Sequence, residues 1–195
     1  MQATRLLAGQ LNALNFVIHD ITGRLERDDW LRRAAPTTNL PAFTLWHVAR
    51  ALDSTVQMGI RGEPELIEAE PWASKAWARL SIGVGYSLEQ ADELAGMVVP
   101  GEVVEYADAS RSSTNQWLKT ITDEVLEAEN RMIAHTTKHA AYNYPAGLEA
   151  IAWTAGRPVW AVLSIACFAH TWGHLEEMAL LTVAARASTA GSSRA

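Results

Sequence analysis

His170 and His174 lie four residues apart in the run Cys167-Phe-Ala-His-Thr-Trp-Gly-His-Leu-Glu-Glu-Met178. The segment reads as helix, where positions i and i+4 share one face with Cβ atoms about 5–6 Å apart. That spacing suits two imidazoles on one metal ion, at metal–nitrogen bonds of about 2.0–2.1 Å. Leu163, Cys167, His170, His174, Met178 and Leu181 step by threes and fours, so both histidines fall within an apolar stripe rather than on a charged face. Two unpaired imidazoles in a core are costly, and a shared metal is one way to satisfy them. Two hydrogen-bonded core histidines, or two half-exposed ones, are the plainer alternatives.

A third histidine strengthens the metal reading. His47 lies in Phe43-Thr-Leu-Trp-His-Val-Ala-Arg-Ala-Leu-Asp53, near the start of another amphipathic stretch. Two histidines from one helix and one from a second make a three-nitrogen site with open positions, the layout of a catalytic rather than a structural metal. His47 borders the core face of its helix, and periodicity does not fix whether it turns inward.

Other residues near these carry chemistry of their own. Cys167 lies one turn before His170, where a thiolate would be a fourth ligand or a nucleophile. A lone cysteine in an apolar helix is more often a small buried hydrophobe. Glu177 follows His174 by three residues and Arg50 follows His47 by three. Each shares a face with its histidine and is placed to orient a ligand or to hold an anionic substrate; exposed charges at helix edges are the commoner outcome. His135 and His139 form a second pair at the same spacing, at a helix end where histidines also favour the dipole. Glu-x2-His pairs of the di-iron type are missing: Cys167 and Thr171 stand three before His170 and His174.

The bulk properties bound the rest. The 195 residues suffice for one well-cored domain, and 49% hydrophobic with 19% charged content is that of a globular chain. A net charge of −6 without any basic run argues against nucleic-acid binding. The single cysteine excludes an internal disulfide framework and fits a reducing cytoplasm. No apolar run reaches the roughly 18–20 residues of a membrane span, and the start lacks the pattern of a signal peptide, so a cytoplasmic protein is expected. Eight tryptophans against three phenylalanines is unusual, and core filling is the commoner role for such residues.

The elements that would position the histidines follow from periodicity. Leu7, Leu11, Leu14, Ile18, Ile21 and Leu25 mark a first helix over 4–27, with His19 at its edge. Pro41 opens a second helix that ends near Gly59–Gly62. Residues 63–111 read as a long connection with short helices over 72–80 and from the Ser87-Leu-Glu-Gln90 capping box to Met97, and a turn around Pro100. Connections this long often form a lid or pocket wall. A third long helix is predicted over 112–139 and a fourth from Pro158 to Arg186, with a short helical stretch near 148–153. The expected fold is an all-α four-helix bundle over 1–186, with long connections between helices two and three and between three and four, and a disordered tail over 187–195.

One histidine early in helix two and His-x3-His in helix four of such a bundle resembles the DinB/YfiT-like superfamily, bacterial proteins regarded as metalloenzymes. The residues that carry the resemblance are Leu45-Trp-His-Val-Ala49 and His170-Thr-Trp-Gly-His174, and it covers the chain from Thr4 to Arg186. It implies a divalent metal, commonly zinc, nickel or iron, held by His47, His170 and His174. It also implies a homodimer. Some members of the superfamily use a low-molecular-weight thiol, as S-transferases or as an isomerase. The function expected is therefore metal-dependent, thiol-dependent transfer or isomerisation of a small-molecule substrate. Metal-dependent hydrolysis and a non-catalytic metal- or ligand-binding stress protein are the alternatives.

Overall fold

The computed structural model describes residues 2–192, with side chains described through 181. The chain is all-helical, and no strand occurs among the described residues. Helix α1 (Ala3–Thr22) buries Leu7, Leu11, Leu14, Ile18 and Ile21, the stripe its sequence predicts. It stops short of the expected end because the Gly23 N–H turns back onto the His19 and Ile21 carbonyls. Helix α2 (Pro41–Asp53) has Pro at its first position, where the missing N–H costs no helical bond. It is buried on almost every side, its polar Thr44, His47, Arg50 and Asp53 included, and packs against the later helices Pro100–Leu118 and His170–Ser192. Ser54–Arg61 continues it with π-helical winding and ends at Gly62, whose left-handed φ of 70° needs no Cβ.

Ser87 caps α3 (Leu88–Ala95) through the expected box, its hydroxyl accepting from the Gln90 N–H. Trp72–Leu80, expected as a helix, is a series of turns. Trp77 is nevertheless fully buried, and its indole N–H donates to Glu102 Oε2 at 2.8 Å.

The third long helix departs from expectation in both position and length. Helix α4 spans Pro100–Leu118, not 112–139. Pro100-Gly101 reads as a turn in sequence, yet Pro100 occupies the first position of a helix. Beyond α4 come only the short α5 (Asp123–Glu127) and α6 (Met132–Thr136). The apolar spacing from Trp117 to Met132 is interrupted because residues 128–130 send their backbone bonds elsewhere. Val159 N–H donates to the Ala128 carbonyl at 2.9 Å and Asn130 N–H to the Arg157 carbonyl at 3.0 Å. The Asn130 amide adds bonds to the Thr154 and Arg157 carbonyls.

Helix α7 (Pro145–Ile151) precedes a fourth helical stretch that begins as α8 (Val159–Val162), passes through a π-helical segment Leu163–Ala169, and continues as α9 (His170–Ser192). Residues 187–192 of the expected tail carry on this helix, and 193–195 lie outside the described residues. Helix α1 packs on α4 and α9, and α2 on α4 and α9, around a core of Leu7, Leu14, Leu45, Trp46, Leu163 and Met178. Among the described residues no helix is long and apolar enough to cross a membrane.

Candidate metal centre

His47 turns inward and is 8% exposed, while His170 and His174 are half-buried on the facing helix. One ring nitrogen of each lies within 4.8 Å of the other two. The three rings stand edge-on to one another, with centroids 4.9, 4.9 and 4.7 Å apart. The Nε2 atoms of His47 and His170 are 3.0 Å apart. Two nitrogens bound at about 2.0–2.1 Å to one tetrahedral ion would stand about 3.3 Å apart. That pair therefore fits one divalent ion with only a small adjustment, and a His174 nitrogen lies within 4.8 Å of both.

Backbone contacts prepare His47 for this role. Its Nδ1 bonds the Ile82 carbonyl. A carbonyl can only accept, so Nδ1 carries the proton and Nε2 presents its lone pair to the other rings. The bond holds the ring in both tautomer and direction, the task a partner of a metal-bound histidine performs. The long connection expected to wall a pocket thus reaches the site through Ile82. Gly83 makes the approach possible. Its φ is +80°, and a Cβ there would stand 2.7 Å from Phe43 Cζ and 3.2 Å from Trp46 Cζ3. Phe43 in turn stacks on His47, with rings 5.9 Å apart and 6° from parallel.

The opposite helix shows unmet polar demand. His170 Nδ1 and His174 Nδ1 are buried without a hydrogen-bond partner, and so is Glu177 Oε2. Glu177 Oε2 lies 3.6 Å from His174 Nδ1, just beyond bonding distance. A slight approach would pair them and leave the other nitrogen of His174 for an ion. The π-helical segment Leu163–Ala169 runs directly into His170, and such wide turns often mark functional sites.

The surroundings of His47 and His170 keep these two rings neutral. Burial, then the neighbouring His170 and His174, push the His47 imidazole down to about 3, against the pull of the Ile82 bond. Burial and His174 push His170 down to about 4. Neutral imidazole is the form that binds metal.

The site borders a cavity of about 210 Å³. Its wall is largely apolar, with Ile82, Val84, Met132, Ile151, Trp153 and Ile165 beside Thr55, His47 and His170. Such a pocket suits a small, mostly apolar ligand held by a few polar groups.

The remaining candidates lie elsewhere. Cys167 is fully buried, packs near Leu14, Val48 and Thr171, and is absent from the converging ligand atoms. Burial pushes its thiol up to about 12, so it stays protonated and unreactive. Arg50 is also fully buried. Its Nε donates to the Arg79 carbonyl at 3.1 Å, Nη1 to Asp53 at 3.1 Å and Tyr106 at 2.6 Å, and Nη2 to Glu65 and Tyr142 at 2.6 Å each. These engage all five guanidinium donors, so none is left for an anionic substrate. The role expected from its spacing to His47 gives way to a structural one, pinning α2 to the 65–68 turn, α4 and Tyr142. His19 is an edge residue bonded to Asp108 at 3.0 Å, and His135 Nδ1 bonds the Gly59 carbonyl at 2.9 Å.

Sequence reasoning missed Ile82, Gly83 and Phe43. A glycine between two apolar residues, Ile82 and Val84, was the available signal, but its meaning depends on a helix some 35 residues away. No protein-family model and no curated protein matches the sequence.

Proposed function

We propose that the protein is a divalent-metal enzyme of the DinB/YfiT-like kind, built on a four-helix bundle with His47, His170 and His174 as the metal ligands. One observation carries this reading: three imidazoles from two helices converge within 4.8 Å beside an apolar cavity. Three protein ligands leave coordination positions open, and a divalent ion there would act as a Lewis acid that lowers the pKa of a bound thiol from about 8.5. The chain's own residues supply the frame. Ile82 and Phe43 hold His47, and Glu177 stands ready to orient His174. Val84, Met132, Ile151 and Trp153 exclude water from the space where thiol and electrophile would meet.

The substrate in this reading is a small electrophile of mainly apolar character, and the reaction is thiol transfer or thiol-assisted isomerisation. The cosubstrate thiol comes from solution, because Cys167 is sealed in the core. The apolar wall favours sulfur and apolar groups over a hydrated peptide or phosphate substrate. The homodimer is part of the same proposal. Exposed Trp160 and Trp172 on the last helical stretch are consistent with it.

The test is turnover of model electrophiles by metal-loaded protein, with and without added low-molecular-weight thiols. Consumption that requires both metal and thiol and vanishes in His47→Ala supports the reading. Hydrolysis that proceeds at full rate without thiol replaces it with a hydrolase. Metal binding with no turnover of either kind leaves a binding protein.

A further inference from the structure

A second group of ligand-type residues lies apart from the three histidines. One carboxylate oxygen each from Glu65 and Glu68 and one ring nitrogen of His139 fall within 4.8 Å of one another. Glu68 and His139 border a cavity of about 290 Å³ that Gly62, Glu63, His135 and Lys138 also line. Glu65 caps and Glu68 ends the 3-10 turn Leu66–Glu68, and His139 follows α6.

The unusual member is Glu65. It is 2% exposed. Its Oε2 accepts from Arg50 at 2.6 Å and from the Tyr142 hydroxyl at 3.0 Å. Its Oε1 is buried with no hydrogen-bond partner, and so is His139 Nδ1. A buried carboxylate oxygen without a donor carries a desolvation cost that native proteins rarely leave unmet. Charge counting points the same way. Arg50, Asp53 and Glu65 are all fully buried, one cation against two carboxylates. Glu68 adds a third carboxylate at the edge of the group. Lys138, an exposed residue, also lines the cavity.

We infer that Glu65, Glu68 and His139 form a second divalent-cation site, separate from the histidine centre. Two carboxylate oxygens with one imidazole suit manganese, iron(II) or zinc, and the open cavity leaves room for water ligands. Glu65 is shared between this ion and Arg50, so the ion would tie the 65–68 turn and the His139 turn to α2, three residues from His47. Glu68 keeps its backbone task as well, accepting from the Glu65 N–H at 2.9 Å.

Manganese(II) is the probe, because its free-ion paramagnetic resonance signal disappears on binding. The background is the His170→Ala chain, which lacks the first centre. Should that chain not fold, the wild type preloaded with one equivalent of zinc takes its place. The expected result is uptake of about one manganese ion per chain, weakened about 10–100-fold or more by adding His139→Ala or Glu68→Gln, which keeps the backbone bond. Manganese should also raise the melting temperature of the background chain and not that of its His139→Ala derivative. No uptake at millimolar manganese would overturn the site and assign the Glu65 charge to a bound proton. Uptake unchanged by either substitution would overturn it equally.

Discussion

The Nε2 atoms of His47 and His170 stand 3.0 Å apart although 123 residues separate them in the chain. Each arrives by a different device. The Ile82 carbonyl fixes the tautomer of His47, and the π-helical segment before His170 sets the phase at which α9 enters the site.

The pairing of Glu177 with His174 should be drawn tight by metal. Glu177→Gln removes the charge from an oxygen 3.6 Å from His174 Nδ1. Metal affinity should fall about 10–100-fold, with little change in the stability of the metal-free protein. Competition with a chromophoric chelator measures this, and an unchanged affinity would deny Glu177 any part in orienting His174.

Gly83 should matter to the site more than its size implies. Gly83→Ala forces a Cβ against Phe43 in a backbone region that L residues avoid. A cost of more than about 1 kcal/mol is expected, with displacement of the Ile82 carbonyl from His47. Denaturant unfolding and metal titration together check this. A stable variant with wild-type metal affinity would show that the loop does not position His47.

Arg50 should behave as a structural residue. Arg50→Ala leaves Asp53 and Glu65 buried without their cation, which costs about 3–5 kcal/mol. The loss should appear in urea unfolding. A well-folded Arg50→Ala protein that had lost only substrate affinity would restore the anion-binding role.

The metal-free protein should lose stability in mild acid through its histidines. His47 and His170 titrate near 3 and near 4 when folded, against an ordinary value near 6.5. Between these limits the two histidines bind more protons in the unfolded chain than in the folded one, so their contribution to stability rises with pH from about 4 to 6.5 and is flat above. The His47→Gln, His170→Gln double variant should flatten that slope in urea midpoints taken across the window. An unaltered slope would place the acid sensitivity elsewhere.

Much of this was legible in the sequence, and the reasons for the rest are physical. The stripe of α1, the proline start of α2, the Ser87 cap and the pairing of His170 with His174 all follow from local spacing and from helix starts. The inward turn of His47 does not, because it depends on a backbone carbonyl in a distant loop. The third helix was misplaced because Pro100-Gly101 resembles a turn and because Asn130 breaks an otherwise continuous apolar rhythm. Arg50 was drawn to the wrong partner because Glu65, Tyr106 and Tyr142 come from three separate segments. The His135/His139 pair was visible, but Glu65 and Glu68 beside His139 were not.

Metal content of tag-free protein, measured by inductively coupled plasma mass spectrometry after incubation with zinc, nickel or iron(II), tests the central claim most directly. Wild type and His170→Ala are compared after identical desalting. The account predicts that wild type retains about one more divalent ion per chain than the variant, whatever a second site contributes to both. Equal metal content in the two proteins would contradict it.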